Sequence, residues 1–266
     1  MKTLGELRDL RGRVALVTGG AGYLGHAFCE GLAELGADVC ILDISDERSE
    51  KRIEALSQQS KNRFSAVTAD ISQEERIGAA IDQVLAAHGR LDILVNNAAY
   101  PPDVLPPDGR ALEQQGFGQW RANLDVMLTG TFLVTRACVP HLMQSDHPAV
   151  VNVASIYGLV GPDMSLYDGT DMRNPAYYAA AKGGIVQLTR YLATTLAPKI
   201  RVNCIAPGGI WRDQPESFLQ RYNARTPLGR MATEEDMKGA LAFLASDLSQ
   251  YVTGQIIAVD GGWTAW

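Results

Sequence analysis

The sequence predicts a doubly wound α/β fold: a seven-stranded parallel sheet with helices on both faces, built as one domain over residues 1–266. Three observations predict it. Short β-branched runs alternate with longer helical patterns along the whole chain. Those runs are nearly continuous in hydrophobicity and bounded by Gly, Asp, Asn or Pro, as strands buried on both faces are. No Pro/Ser-rich linker and no internal repeat divides the chain.

In order, strands are expected at Val14–Val17, Val39–Leu42, Arg63–Thr68, Leu91–Asn96, Ala149–Val153, Arg201–Ala206 and Ile256–Val259. Helical patterns fill the intervals near 23–36, 46–58, 73–88, 115–143, 176–197 and 234–246. Strand, helix, strand repetition demands crossover connections and hence parallel pairing. Three stretches break the rhythm and are expected as substrate loops, at about 100–114, 158–176 and 208–225. The first two begin just after a strand's carboxyl end, where open α/β sheets place their ligands.

Composition narrows the function classes. The net charge is −6, with acids and bases interspersed, which leaves no basic stripe for nucleic acid and no polybasic segment for a membrane. No apolar run approaches the roughly 18–20 residues that span a bilayer, and the stretch 1–13 is too charged for a secretory signal. Cys29, Cys40, Cys138 and Cys204 lie far apart in apolar stretches without ligand spacing. They read as reduced core thiols of a cytoplasmic protein, and no metal site is expected.

Residues 14–25 read Val-Ala-Leu-Val-Thr-Gly-Gly-Ala-Gly-Tyr-Leu-Gly and lead into a helical pattern. Gly19, Gly22 and Gly25 allow a sharp turn and bring backbone, through Tyr23 and Leu24, close to a pyrophosphate at a helix N-terminus. Such a turn alone is weak, since many are only tight loops. Here it follows the first strand, opens a helix, and is followed eighteen residues after Gly25 by Asp43. A carboxylate there, with Ile44 beside it, accepts from both adenosine ribose hydroxyls and repels a 2′-phosphate. No Arg or Lys follows immediately to offset that repulsion, so NAD is expected over NADP. The alternative is a strand-end Asp that only caps the turn through Ser45.

Tyr178-Ala-Ala-Ala-Lys182 places a phenol and an ammonium one turn apart on one helical face. A free tyrosine, with a pKa of about 10, is a poor base at neutral pH, and a neighbouring cation favours its phenolate. Tyr-x-x-x-Lys occurs by chance in many helices, but this one has company. Asn152-Val-Ala-Ser155 closes the fifth strand and Asn96-Asn97-Ala-Ala the fourth. Arg201 to Ile210 closes the sixth, and Tyr251 to Gly262 forms the last. Over about residues 11–262 these motifs resemble the short-chain dehydrogenase/reductase family, whose Rossmann fold and nicotinamide chemistry the resemblance implies.

The resemblance implies roles residue by residue. Tyr178 exchanges the hydroxyl proton, Lys182 lowers the Tyr178 pKa and binds the nicotinamide ribose, and Ser155 holds the substrate oxygen. Asp70 and Ile71 flank the adenine, Asn97, Ala98 and Ala99 line the adenosine ribose side, and Pro207, Gly208 and Ile210 meet the carboxamide. It also implies a homotetramer or homodimer, through the long fourth and fifth helices and through a chain end carrying Trp263 and Trp266.

Three features depart from the compact branch of the family. Tyr23 interrupts the usual Gly-x-Gly, giving a spacing that resembles the extended, sugar-nucleotide-modifying branch. Counted from Leu128-Thr-Gly-Thr-Phe132, the position that in many members is an Asn organising a relay water is Met127; Asn123, one turn earlier, either stands in or is a helix-surface residue. Ser155 and Tyr178 lie 23 residues apart, with a polar loop between them. That long loop resembles those of the flagellin-modification and nonulosonate-biosynthesis dehydrogenases.

The rim of the substrate site is expected from Asp163, Tyr167, Asp171 and Arg173 in the loop and from Trp211, Arg212 and Gln214 after the sixth strand. Such groups suit a polyhydroxylated substrate, and the arginines suit a phosphate; equally, they only solvate a long loop. The expected activity is NAD-dependent hydride transfer on a secondary alcohol or ketone of a sugar, polyol or sugar-derived substrate. The alternatives are a 3-oxoacyl-thioester or generic carbonyl reductase, and a non-catalytic NAD-binding scaffold.

Overall fold

The computed structural model describes residues 1–100 and 111–266, so most of the loop expected at 100–114 lies outside the described residues. The strands are β1 (Val14–Thr18), β2 (Asp38–Asp43), β3 (Phe64–Thr68), β4 (Ile93–Asn96), β5 (Ala149–Val153), β6 (Arg201–Pro207) and β7 (Ile256–Val259). They form one seven-stranded sheet in the order β3-β2-β1-β4-β5-β6-β7. Every pairing is parallel. This is the doubly wound Rossmann arrangement that the alternating runs predict. The order reverses between β1 and β4, and a crevice opens at their carboxyl ends.

The helices are α1 (Leu4–Arg8), α2 (Tyr23–Glu34), α3 (Asp46–Gln59), α4 (Glu74–His88), α5 (Phe117–Leu124), α6 (Thr131–Leu142), α7 (Ala176–Thr195), α8 (Glu216–Arg225) and α9 (Lys238–Ala245). One core packs Phe28 and Leu32 of α2 and Leu241 and Leu244 of α9 against β1, β2 and β4. The other packs Ile77, Ile81 and Val84 of α4, Val134 and Cys138 of α6, and Leu192 of α7 against the opposite face. Burial on both faces explains why the strand sequences lack alternation.

Three elements differ from expectation. The helix expected over 115–143 is two α-helices joined by a π-helical stretch, Asp125–Gly130, and Thr131 Oγ1 back-bonds to the Met127 carbonyl at 2.7 Å. The loop expected at 208–225 contains α8, which buries Phe218 and Tyr222. The loop at 158–176 is not purely polar: a 3-10 turn at Met164–Tyr167 buries Leu166 and Tyr167. They pack with Ile156, Phe218, Tyr222, Met231 and Trp263 into a small third core beneath the substrate side.

A buried polar chain pins the catalytic elements together. Asn96 Nδ2 donates to Thr135 Oγ1 and to Asn152 Oδ1, both at 2.9 Å, and Asn152 Nδ2 donates to Thr189 Oγ1 at 2.9 Å. It ties β4 and β5 to α6 and α7, and buried networks of this kind fix one arrangement. All four cysteines are free and buried, and burial pushes Cys40 and Cys204 up to about 11. Such thiols carry no thiolate at neutral pH.

Candidate active site

A cleft of about 1060 Å³ runs along the carboxyl edge of the sheet. Its floor at one end is the glycine-rich turn. Gly19, Gly22, Tyr23, Leu24 and Gly25 all line it, and α2 starts there with Gly22 as its N-cap. A Cβ on Gly25 would stand 2.1 Å from the Gly19 carbonyl oxygen, so only glycine lets the turn fold back on the helix. Thr18 Oγ1 accepts from the Asn97 and Ala98 amides at 3.0 and 3.1 Å, and Asn97 Nδ2 donates to the Thr18 and Gly19 carbonyls at 3.1 Å. The ends of β1 and β4 are thereby held against each other, with Asn97, Ala98 and Ala99 on the cleft.

Asp43 and Ile44 at the end of β2, and Asp70 and Ile71 after β3, line the same end. Asp43 is buried; it accepts from the amides of Ala21 and Ser45 at 3.1 Å. A cation does accompany it: Arg48, on the first turn of α3, lies 3.3 Å from Asp43 and lines the cleft. Arg48 is five residues from the acid in sequence, and the first turn of α3 brings it back alongside.

At the other end Ser155, Tyr178 and Lys182 share one wall with Pro207, Gly208 and Ile210. Ser155 sits just past β5, with its Oγ accepting from the Tyr157 amide at 3.2 Å. Tyr178 and Lys182 face it from the first two turns of α7, whose free N-terminal amide at Ala176 is capped by Gln115 Oε1 at 2.9 Å. The turn carrying Ser155 lies directly on that helix. A Cβ on Gly158 would approach the Lys182 carbonyl oxygen to 2.6 Å.

Lys182 is buried; its Nζ donates to the Val153 carbonyl at 2.8 Å and lies 5.8 Å from the centre of the Tyr178 ring. Burial pushes its ammonium down to about 8. The lowering of the Tyr178 pKa expected from Lys182 is therefore corrected by the geometry. Burial dominates and raises the phenol, while the hydrogen bond with Ser155 and the charge on Arg212 oppose the rise. The lysine is turned toward Val153 and is itself near its own titration, which weakens its pull.

The remaining substrate-side residues divide. Tyr167 lines the cleft, its hydroxyl 3.1 Å from that of Tyr157 and receiving Asn174 Nδ2 at 3.3 Å. Arg212 and Gln214 line it as well. Asp171, Arg173 and Trp211 do not line it, and Asp163 is spent capping Ser165 and pairing with Arg225. The stand-in role for Asn123 also fails: its amide donates to the Gln119 carbonyl at 2.8 Å and the residue does not line the cleft. Met127 is buried in the π-helical stretch. Tyr157, Phe218, Tyr222 and Met231 were missed as lining residues. The apolar spacing of Phe218, Leu219 and Tyr222 behind Pro215 was the available signal for α8.

Residues 20–264 match the family model described as "Enoyl-(Acyl carrier protein) reductase". The chain belongs to the short-chain dehydrogenase/reductase family. It is 36% identical over 258 residues to the cis-4-hydroxycyclohexanecarboxylate dehydrogenase of Sinomonas cyclohexanicum, covering 95% of this chain and 97% of that one. It is 34% identical over 260 residues to the 3-oxoacyl-(acyl-carrier-protein) reductase FabG of Thermotoga maritima, covering 95% and 98%. Among solved structures, a gluconate 5-dehydrogenase from Burkholderia cenocepacia J2315 in complex with NADP and tartrate superposes with a TM-score of 0.86. It shares 30% identity and covers 99% of this chain and 100% of that one. The protein is thus an oxidoreductase acting on CH–OH groups with a nicotinamide dinucleotide.

Among the described residues no helix is long and apolar enough to cross a membrane, and no three His, Cys, Asp or Glu side chains are placed to hold a metal.

Proposed function

We propose that this short-chain dehydrogenase/reductase is an NAD-preferring dehydrogenase of a secondary alcohol on a ring or small polyol. The observation that carries the reading is that Ser155, Tyr178 and Lys182 open into the same cleft as the glycine turn and Asp43. The residues present fit the dinucleotide. The Gly25–Gly19 approach leaves the N-terminus of α2 open to a diphosphate, and the Lys182 ammonium has three donors of which Val153 takes one. Bound NAD supplies the hydride acceptor at its nicotinamide.

The chain's own residues handle the proton. Ser155 Oγ holds the substrate oxygen, and Tyr178 Oη takes the hydroxyl proton as the carbonyl forms and returns it in the reverse direction. Lys182 holds the nicotinamide ribose, and the hydrogen bond with Ser155 opposes the rise of the Tyr178 pKa. The aromatic wall of Tyr157, Tyr167, Phe218 and Tyr222 suits the face of a ring, and the Tyr157–Tyr167–Asn174 hydroxyl and amide chain suits further hydroxyls. Asp43 opposes a 2′-phosphate and supports NAD. The dehydrogenase acts in the cytoplasm as a homotetramer or homodimer.

A second reading, reduction of 3-oxoacyl thioesters, draws support from the FabG relative. It is disfavoured by Asp43, because biosynthetic reduction ordinarily draws on NADPH. Incubation with NAD and a panel of ring alcohols, sugars, sugar phosphates, sugar nucleotides and 3-hydroxyacyl thioesters, read as NADH absorbance, separates the two. Turnover of the thioesters alone would reject the ring-alcohol reading.

A further inference from the structure

The protein is acidic overall, yet the substrate end of its cleft is not. The charged residues lining the cleft are Asp43, Arg48, Asp70, Asp125, Lys182 and Arg212. Asp43 ends β2, Arg48 pairs with it from the first turn of α3, Asp70 follows β3, and Asp125 is 3.8 Å from Arg121 on its own helical run. Among the described residues that leaves two lining cations, Lys182 and Arg212, and no lining carboxylate beside the catalytic phenol. The two acids expected there are elsewhere, since Asp163 is held by Arg225 and Asp171 does not line the cleft.

Arg212 is held from two sides, by an aromatic ring and by a carboxylate. Its guanidinium lies over the Tyr23 ring, 4.7 Å from the centroid, and its Nε lies 3.5 Å from Glu234 Oε1. A planar cation on an aromatic platform keeps its fork of donors available and its orientation fixed. Its charge also reaches the Tyr178 phenol. Tyr23, the residue that interrupts the glycine pattern, thus acquires a purpose.

We propose that Arg212, positioned by Tyr23, receives a carboxylate of the substrate, so that the enzyme selects hydroxy acids over neutral alcohols of the same shape. The proposal rests on the dehydrogenase reading above. The reacting hydroxyl lies at Ser155 and Tyr178, and the acid group lies on the guanidinium across the cleft, bidentate geometry giving it direction. Arg212 is a specificity-determining residue and Tyr23 a positioning residue.

The test is direct binding to the NADH-loaded enzyme, followed by calorimetry, using cyclohexanecarboxylate, gluconate and tartrate, each paired with its neutral amide. Carboxylates should bind at least roughly tenfold more tightly than the amides, the range of a charge-assisted hydrogen bond. Arg212→Gln should erase that difference, Arg212→Lys should keep part of it, and NADH affinity should stay the same in both. Tyr23→Phe should retain the preference and Tyr23→Leu should lower it. The site is refuted if no pair shows the preference, or if it survives Arg212→Gln. A parallel loss of NADH affinity in Arg212→Gln also overturns it, assigning the guanidinium to the cofactor diphosphate. Carboxylate binding through Arg212 with no turnover of any hydroxy acid leaves the anion site standing and rejects the dehydrogenase reading instead.

Discussion

Arg48 Nη2 lies 3.3 Å from Oδ1 of Asp43, so a carboxylate and a guanidinium stand together on the cleft where the proposed NAD would place its adenosine ribose. On the proposed binding mode the carboxylate should oppose a 2′-phosphate and the guanidinium beside it should partly compensate. NAD should bind at least roughly tenfold more tightly than NADP, a difference of about 1.4 kcal/mol. Arg48→Ala should widen the gap by weakening NADP alone, and Asp43→Ala should narrow it while keeping NAD binding. Calorimetric titration of each variant with both cofactors checks this; equal affinities in the parent enzyme would remove Asp43 from its role.

Tyr178→Phe removes only the ionisable oxygen. Turnover should fall by roughly 10²–10⁴-fold, with NAD affinity nearly unchanged. Lys182→Ala should lower both. Near-normal activity in Tyr178→Phe would contradict the proton path through that hydroxyl.

Lys182 also carries a stability signature. Its ammonium is pushed down by burial from 10.5 to about 8. Below pH 8 the folded protein bears the cost of a buried charge, and between about 8 and 10.5 the unfolded chain holds the extra proton, so stability rises with pH in that window. Lys182→Met should raise the apo-protein's thermal midpoint at pH 7 by several degrees, on the order of 2 kcal/mol. The advantage should shrink as the pH approaches 10. A constant difference across that range would show that the ammonium is not the cause.

The loop between β5 and α7 should serve recognition and packing together. Replacing residues 160–171 with a short turn should leave the Kd for NAD within about threefold, yet raise KM for the true substrate by roughly tenfold or more. It should also lower the thermal midpoint, because Leu166 and Tyr167 cover Phe218 and Tyr222. Unchanged KM would make the loop irrelevant to selection.

Phe117, Phe132 and Tyr191 are exposed along α5, α6 and α7, and Tyr251 and Trp266 are exposed near the chain end. Solvent-facing aromatics in such number mark contact surfaces. Light scattering at micromolar concentration should give two or four times the 28.8 kDa chain mass. A monomeric mass would rule the assembly out.

Much of this was legible in the sequence because the sheet is buried on both faces. Runs such as Ile93–Asn96 and Ala149–Val153 have no reading as surface strands, and the spacing from Tyr178 to Lys182 fixes one helical face. What escaped depended on partners distant in sequence. Arg48 comes beside Asp43 only through the first turn of α3. Asp163 looked like a substrate ligand until Arg225, 62 residues later, claimed it. The break in the long helix carries only a weak local mark, the poor helix formers Asp125, Val126, Thr129 and Gly130 among apolar neighbours.

The approach of Gly158 to the Lys182 carbonyl has a consequence for how such an enzyme changes over time. Ser155 and Lys182 are registered to each other by main chain against main chain, across a gap that admits no side chain. The spacing of the reacting groups is therefore inherited from the backbone and is indifferent to the wording of the loop that follows. Residues 159–174 run between two fixed posts, anchored there by Leu166 and Tyr167. Changes in that stretch that keep those two anchors should therefore alter the substrate side while leaving the register of Ser155 and Lys182 in place.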